Sequence, residues 1–219
     1  TGNSNFGYFS GGQLSGVHSD ISRIDYSNDT ATALSKGNLS IAKNKHAGVS
    51  SRQTGLPTQV ETTVNYPVGT YATPHFGYFA GGTPGPKSTV DRIDYSNDTV
   101  AAVAKGSLPP NTQRERGGGT SSGTHGYFAA GLTPASPSST IVDRVDYVND
   151  TVTLSNKGPL SLSRNAVASV GDANFGYFIG GGSINSPYIY SSMDRVDYSN
   201  DTATASIKGQ MTGNRTSAA

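Results

Sequence analysis

Acids and cations recur in this chain at fixed places, so they are the first residues to test for chemistry. Asp91-Arg92, Asp143-Arg144 and Asp194-Arg195 each set a carboxylate beside a guanidinium, and Asp25-Tyr26, Asp94-Tyr95, Asp146-Tyr147 and Asp197-Tyr198 each set one beside a phenol. Adjacent residues of a strand face opposite sides, so each charge is expected to meet a partner in a neighbouring strand or unit rather than a shared substrate. A calcium loop is not spelled, because the Asp-x-Asn/Asp-x-Asn/Asp-Gly spacing is missing. His18, His46, His75 and His125 hold different places in the pattern, although His75 and His125 both lie near a Gly-Tyr-Phe, and no pair has zinc-ligand spacing. No Ser-His-acid order stands out, and the chain has no Cys, which removes thiolate and disulfide chemistry. Gly117-Gly118-Gly119 lacks the Lys-Ser/Thr and the helix of a phosphate-binding loop; a strand that must be thin explains it better. Asn28-Asp29-Thr30, Asn97-Asp98-Thr99, Asn149-Asp150-Thr151 and Asn200-Asp201-Thr202 fit the N-glycosylation sequon. Their recurrence at one place favours a turn whose Asn and Asp side chains bond the local backbone. No catalytic residue, metal ligand or cofactor is therefore assigned.

The frame that would position these groups is a repeat. Phe6-Gly7-Tyr8-Phe9 returns as Phe76-Gly77-Tyr78-Phe79, His125-Gly126-Tyr127-Phe128 and Phe175-Gly176-Tyr177-Phe178. The glycines fall 70, 49 and 50 residues apart, and the step from Gly176 through the two ends to Gly7 is again 50. A period of this length marks a modular array. The tail Asn214 to Ala219 followed by Thr1 to Gly7 reads like Ser163 to Ala168 through Ala173 to Gly176, so one unit is expected to be shared between the termini. Pairing of the N- and C-terminal strands would close a ring and remove the exposed sheet edges. The alternative is a piece of a longer array, and the first residue, Thr rather than Met, is read as a processed product or a domain of a larger polypeptide.

Composition agrees with strands. Only 33% of residues are hydrophobic while 28 of 219 are Gly, and no stretch shows helical periodicity. A net charge of +1 with no basic stripe gives no reason to expect nucleic acid, and no apolar run is long enough for membrane insertion. In the last unit four strands are expected: 164–170, 175–180, 193–198 and 202–206. Four antiparallel strands per unit around an axis describe an all-β, four-bladed propeller, a single domain over residues 1–219 with an insertion at about 52–72. Within that insertion, 60–66 alternates like an extra hairpin strand. Small side chains in the first strand of each unit (Gly117 to Thr120, for example) suit a crowded axis.

These units resemble kelch repeats. Gly11-Gly12, Gly81-Gly82 and Gly180-Gly181 match that family's glycine pair, Val90-Asp91-Arg92-Ile93-Asp94 and its copies match its third strand, and Arg114, Arg164 and Arg215 hold its later Arg position. Ala130-Gly131 departs from the glycine pair, and the family's Trp is absent throughout. The Asp-Arg-Ile/Val-Asp-Tyr-Ser-Asn-Asp-Thr block also looks like repeats in predicted virion and tail-fibre proteins of marine bacteriophages. The copper-oxidase chemistry of some kelch-like propellers needs a Cys this chain lacks, and sialidase-type Ser-x-Asp-x-Gly-x-Thr-Trp boxes are absent.

What varies between units is the loop after the aromatic strand: 13–20, 83–88, 132–139 and 183–192. Variable loops on a rigid frame are where binding is usual. Tyr188 and Tyr190, with Lys36, Lys105, Lys157 and Lys208 of the recurring Lys-Gly pairs expected on the same rim, are the candidate ligand contacts. The expected function is a non-catalytic receptor-binding or structural module on a virion or cell exterior, with a glycan or protein surface and other fibre subunits as partners. A kelch-type lectin or scaffold is one rival. A glycan hydrolase or lyase, with Asp20 facing a second carboxylate across the mouth, is the other.

Overall fold

The computed structural model describes residues 1–3, 5–13, 15–50, 76–183 and 188–216. Among the described residues the chain is all-β apart from one 3-10 turn at Tyr198–Asn200. β1 (Phe6–Ser10), β2 (Asp20–Asp25) and β3 (Leu34–Asn38) form a first, three-stranded sheet. β4 (Ala47–Ser50), β5 (Phe76–Ala80), β6 (Thr89–Asp94) and β7 (Val103–Ser107) form a second sheet. β8 (Gly118–Ser121), β9 (His125–Ala129), β10 (Val142–Asp146) and β11 (Ser155–Asn156) form a third. β12 (Ala168–Gly171), β13 (Phe175–Ile179), β14 (Ser192–Asp197) and β15 (Ser206–Gln210) form a fourth. All pairings are antiparallel between consecutive strands, and the register repeats: Tyr8 faces Arg23, Tyr78 faces Arg92, Tyr127 faces Arg144 and Tyr177 faces Arg195.

In sheets two and three, both faces of the aromatic strand are buried. Tyr78 and Phe79 point to opposite sides, yet both are inside, as are Tyr127 and Phe128. A sheet with one solvated face would expose one of each pair; here every sheet between two others is covered on both sides. Three cores result, each built at a seam between consecutive sheets. Tyr8, Ile21 and Leu39 meet Phe79, Ile93 and Tyr95. Tyr78, Val90 and Leu108 meet Phe128, Val145 and Tyr147, and Tyr127, Val142 and Leu160 meet Phe178, Val196 and partly buried Tyr198.

The innermost strands β4, β8 and β12 run side by side, which explains the glycine run. A Cβ on Gly119 would stand 2.7 Å from Val49 Cγ1, and one on Gly118 2.8 Å from Val167 Cγ2. The paired glycines turn the chain at the other end of the aromatic strand: Gly81 and Gly82 have φ of 75° and 109°, conformations open to glycine at little cost. Ala130 holds the same turn at φ 61° where its unit departs from the pair.

Three expectations are corrected. The inner strand of the fourth sheet starts at Ala168, not at 164, because Ala166 takes a positive φ of 51° and Arg164 turns inward to Gly180 O and Asp194. The outer strand of the fourth sheet starts at Ser206, not at 202, because the preceding turn is wide enough to carry Asp201 and Ala205 to buried positions against the third sheet. Lys36, Lys105 and Lys208 lie inside β3, β7 and β15, and Lys157 directly follows β11, rather than in rim connections. A register shift between β2 and β3, β6 and β7, and β14 and β15 gives the outer strand an extra residue around Lys36, Lys105 and Lys208.

Thr1 and Gly2 take the inner-strand place in the first sheet: Tyr8 N donates to Thr1 O at 2.8 Å, and Gly2 bridges Gly7. Residues 217–219, expected to share that strand, and the insertion at 52–72 with its hairpin at 60–66, lie outside the described residues.

Candidate functional site

The charged residues that recur converge on the three seams. Across the first seam, Tyr8 Oη donates to Asp98 Oδ2 at 2.8 Å, Arg23 Nη1 reaches the same oxygen at 2.8 Å, and Lys36 Nζ lies 3.3 Å from Oδ1. Tyr78, Arg92 and Lys105 hold Asp150 in the same way at 2.9, 2.7 and 3.7 Å. Tyr127, Arg144 and Lys157 hold Asp201 at 3.0, 2.7 and 3.3 Å. The backbone follows: Gly37, Gly106 and Gly158 donate their N–H groups to the carbonyls of Asp98, Asp150 and Asp201 at 2.7, 2.8 and 2.8 Å. These glycines have no room for a side chain, since a Cβ would overlap the backbone of Val100, Val152 or Ala203.

Each seam also stacks two tyrosines, Tyr8 on Tyr95, Tyr78 on Tyr147 and Tyr127 on Tyr198, with centroids 4.8, 5.2 and 4.6 Å apart. The second tyrosine of each pair lies over the glycine of Gly-Tyr-Phe in its own sheet, where a Cβ on Gly126 would stand 2.9 Å from Tyr147 Oη. Burial first, and the neighbouring Asp second, push the Tyr78 and Tyr127 hydroxyls far above their usual range, so they act as fixed donors.

The Asn-Asp-Thr blocks thus divide their work. Thr30 Oγ1 donates to Asn28 Oδ1 within the turn at 3.2 Å, as the turn reading requires. The Asp of the next three copies instead crosses to the preceding sheet, a role that reading missed. The local carboxylate of the turn is the Asp two residues before each Ser or Val: Asp25, Asp94 and Asp197 each accept from the backbone N–H and the hydroxyl of Ser27, Ser96 and Ser199. Asp146 accepts from the Val148 N–H. The signal for the crossing role was available: Asp, Tyr, Arg and Lys-Gly recur together in every unit.

A second set of ion pairs is wholly internal. Lys43 Nζ lies 2.6 Å from Asp91 Oδ2, Arg114 pairs with Asp143, and Arg164 Nη2 lies 3.4 Å from Asp194 Oδ2. All three carboxylates are fully buried.

The rim candidates separate. Lys36, Lys105 and Lys157 are held at the seams by Asp98, Asp150 and Asp201, with side chains 12, 17 and 14% exposed. Lys208 is exposed. Tyr188 is 66% exposed, whereas Tyr190 is half-buried with the Arg164 guanidinium 5.1 Å from its ring centre. Two open clefts of about 500 Å³ lie outside the cores. One is bounded by the 83–88 loop and the segment after β7, through Lys87, Ser88, Pro109, Asn111 and Gln113. The other lies among the turns of the third and fourth sheets, through His125, Arg144, Asn174, Phe175 and Ser199. Among the described residues no three His, Asp or Glu side chains group as a metal site. Asp20 has His18 Nδ1 at 3.8 Å.

His46 supplies a pH response. Its Nε2 lies 2.8 Å from Ser10 Oγ, and its ring stands edge-on to Phe79 between the first and second sheets. Burial, then the nearby Lys43, push it from 6.5 down to about 4. The unfolded imidazole takes up a proton near pH 6.5 while the folded one does not, so stability is expected to fall from about pH 6.5 to about 4, by up to about 1.4 kcal/mol per pH unit. Burial would raise the Asp98 carboxyl, but hydrogen bonds from Tyr8, Lys36 and Arg23 outweigh it and hold it below its usual value. Its contribution is present above about pH 4 and is lost as pH falls further. Urea unfolding across this range should show both losses, and His46→Gln should flatten the upper one while leaving the lower.

The chain matches no known family model and no curated protein.

Proposed function

We propose that this chain is a non-catalytic binding or structural module made of kelch-like propeller blades, of the kind that forms virion or tail-fibre adhesins, and that it meets a glycan or protein surface through the loops after its aromatic strands. The observation that carries the reading is a division of labour. At each of the three seams the recurring Tyr, Arg and Lys of one sheet hold the recurring Asp of the next, and the Asp91, Asp143 and Asp194 carboxylates are each paired with a buried cation. The segments 13–20, 83–88, 132–139 and 183–192 differ in length and composition on the same frame. A frame that consumes its charges and varies its loops suits recognition, since loops can change while the cores do not.

The cleft of about 520 Å³ beside Lys87, Asn111 and Gln113 and the exposed Tyr188 offer amide, ammonium and ring surfaces of the sort that sugars and polar protein surfaces engage. Many copies on one particle would raise a weak single contact to useful avidity. Glycan and protein arrays probed with the chain displayed in many copies are expected to give retained ligands with no released product. Lys87→Ala and Tyr188→Ala are expected to weaken the retained signal about tenfold, in line with loss of one contact of about 1.4 kcal/mol. Cleavage of an array glycan by the purified chain would reject this reading in favour of a hydrolase or lyase, and binding unchanged in both variants would move the site to the opposite rim.

A further inference from the structure

Three seams are filled, and the two end sheets carry the halves of a fourth. On the fourth sheet, Tyr177, Arg195, Lys208 and Gly209 hold the places of Tyr78, Arg92, Lys105 and Gly106. On the first sheet, Phe9, Ile24, Tyr26 and Asp29 hold the places of Phe128, Val145, Tyr147 and Asp150. Among the described residues, none of the seam's hydrogen bonds, ion pairs or ring stacks joins these two sets. Burial shows the difference. Phe9 is 62% exposed where Phe79, Phe128 and Phe178 are at most 3%, and Tyr26 is 54% exposed where Tyr95 and Tyr147 are buried. Asp29 and Lys208 are exposed where Asp150 is buried and Lys105 is half-buried. A Cβ on Gly209 would meet only the end of Met193, whereas its three counterparts abut a neighbouring backbone.

The apolar positions of the end face are also special. Where the filled seams use Ile21, Val90 and Val142, and then Leu39, Leu108 and Leu160, the fourth sheet has Met193 and Met211, the two methionines of the chain. Methionine is the flexible, polarisable side chain that suits a face formed on docking. The opposite charges match as they do inside: one Asp on the first sheet, one Arg and one Lys on the fourth.

We propose that the face of the fourth sheet, centred on Tyr177, Met193, Arg195 and Lys208, binds the first sheet of a second copy of this chain, with Asp29 entering between Arg195 and Lys208 and Tyr26 stacking on Tyr177. The three formed seams join consecutive sheets by the same contacts, and among the described residues none of those contacts joins the first sheet to the fourth. The interface is heterologous, so copies add head to tail and leave one free face of each kind. This does not depend on which ligand the loops take.

The test uses two variants in the full chain, both at exposed or half-exposed positions. Asp29→Ala with Tyr26→Ala spoils only the first-sheet face; Arg195→Glu with Lys208→Glu spoils only the fourth-sheet face, and the two altered faces carry no opposite charges that could pair. Sedimentation velocity across a wide dilution range is expected to show wild type growing with concentration through a series of multiples. Each variant alone should remain monomeric, because it lacks one half of the contact. Mixed in equal amounts, the two should give a dimer and nothing larger, since one intact face of each kind remains. Circular dichroism and melting curves confirm that each variant is folded; Asp29→Asn replaces the first-sheet variant, and Lys208→Glu alone the fourth-sheet variant, where either is not. A wild type that stays monomeric overturns the proposal. If Asp29→Ala is then as destabilising as Asp150→Ala, the chain's own first sheet fills the face; if it is neutral, nothing does. Association that survives both variants, or a mixture that stays monomeric, also overturns it.

Discussion

Replacing Asp150 by alanine is expected to lower the unfolding free energy by about 3–5 kcal/mol, the usual cost of leaving buried partner charges uncompensated. Asp150 receives Tyr78 Oη, Arg92 Nη1 and Lys105 Nζ, and its side chain is 7% exposed. Removing it strands a phenol donor buried with Phe128, Val145 and Leu154 and leaves two half-buried cations without their counter-charge. Two controls divide the effect. Asp150→Asn keeps an acceptor for Tyr78 and should cost less than the alanine variant. Tyr78→Phe removes one hydrogen bond to a charged acceptor, worth about 1.5–3 kcal/mol. Asp98→Ala and Asp201→Ala should behave like Asp150→Ala because their partners repeat. Urea unfolding monitored by tyrosine fluorescence measures all of these. A change below about 0.5 kcal/mol, the level of an ordinary surface substitution, would mean that the seams do not hold the sheets together.

The second large effect is expected at Asp194. It and Arg164 are both fully buried. Arg164 donates to Gly180 O at 2.7 Å and to Ser192 O at 3.0 Å, and Asp194 accepts from Ser161 N at 3.2 Å. Asp194→Ala leaves a guanidinium without its counter-charge in a dry site, again a loss of about 3–5 kcal/mol. Replacing both partners, Arg164→Met with Asp194→Leu, should recover much of that loss, because the costly state is one buried charge and not the absence of a pair. A double variant no more stable than Asp194→Ala would show instead that the backbone bonds of Arg164, rather than its charge, hold the segment before β12 in place.

Much of this fold could be read from the chain. The Gly-Tyr-Phe and Asp-Arg-Ile/Val-Asp blocks became adjacent strands at the expected places, with β13 and β14 within one residue of prediction at each end. Gly118 and Gly119 lie against neighbouring inner strands, as crowding implied. These features are local: strand period, turn residues and side-chain size act within a few residues. The work of Asp98, Asp150 and Asp201 was not local. Each of their Tyr and Arg contacts spans at least 57 residues of sequence and depends on how one sheet is set against the next, which no period within a strand encodes. For the same reason the outer strand was placed too early. Residues 202–205 alternate acceptably as a strand, but the wide turn is needed to carry Asp201 across the seam. The lysine candidates were misplaced by the same missing relation between sheets. A lysine beside a glycine reads as a solvent-facing turn until the backbone packed on that glycine is seen.

The identity of the three seams has a consequence for how such a chain can change over generations. Because every internal joint presents the same socket and the same plug, a unit is an interchangeable part. Deleting one whole period, or copying one in, would rejoin matching surfaces without any compensating substitution. A change in the number of whole units therefore keeps every joint intact, while a cut made within a period leaves two mismatched halves.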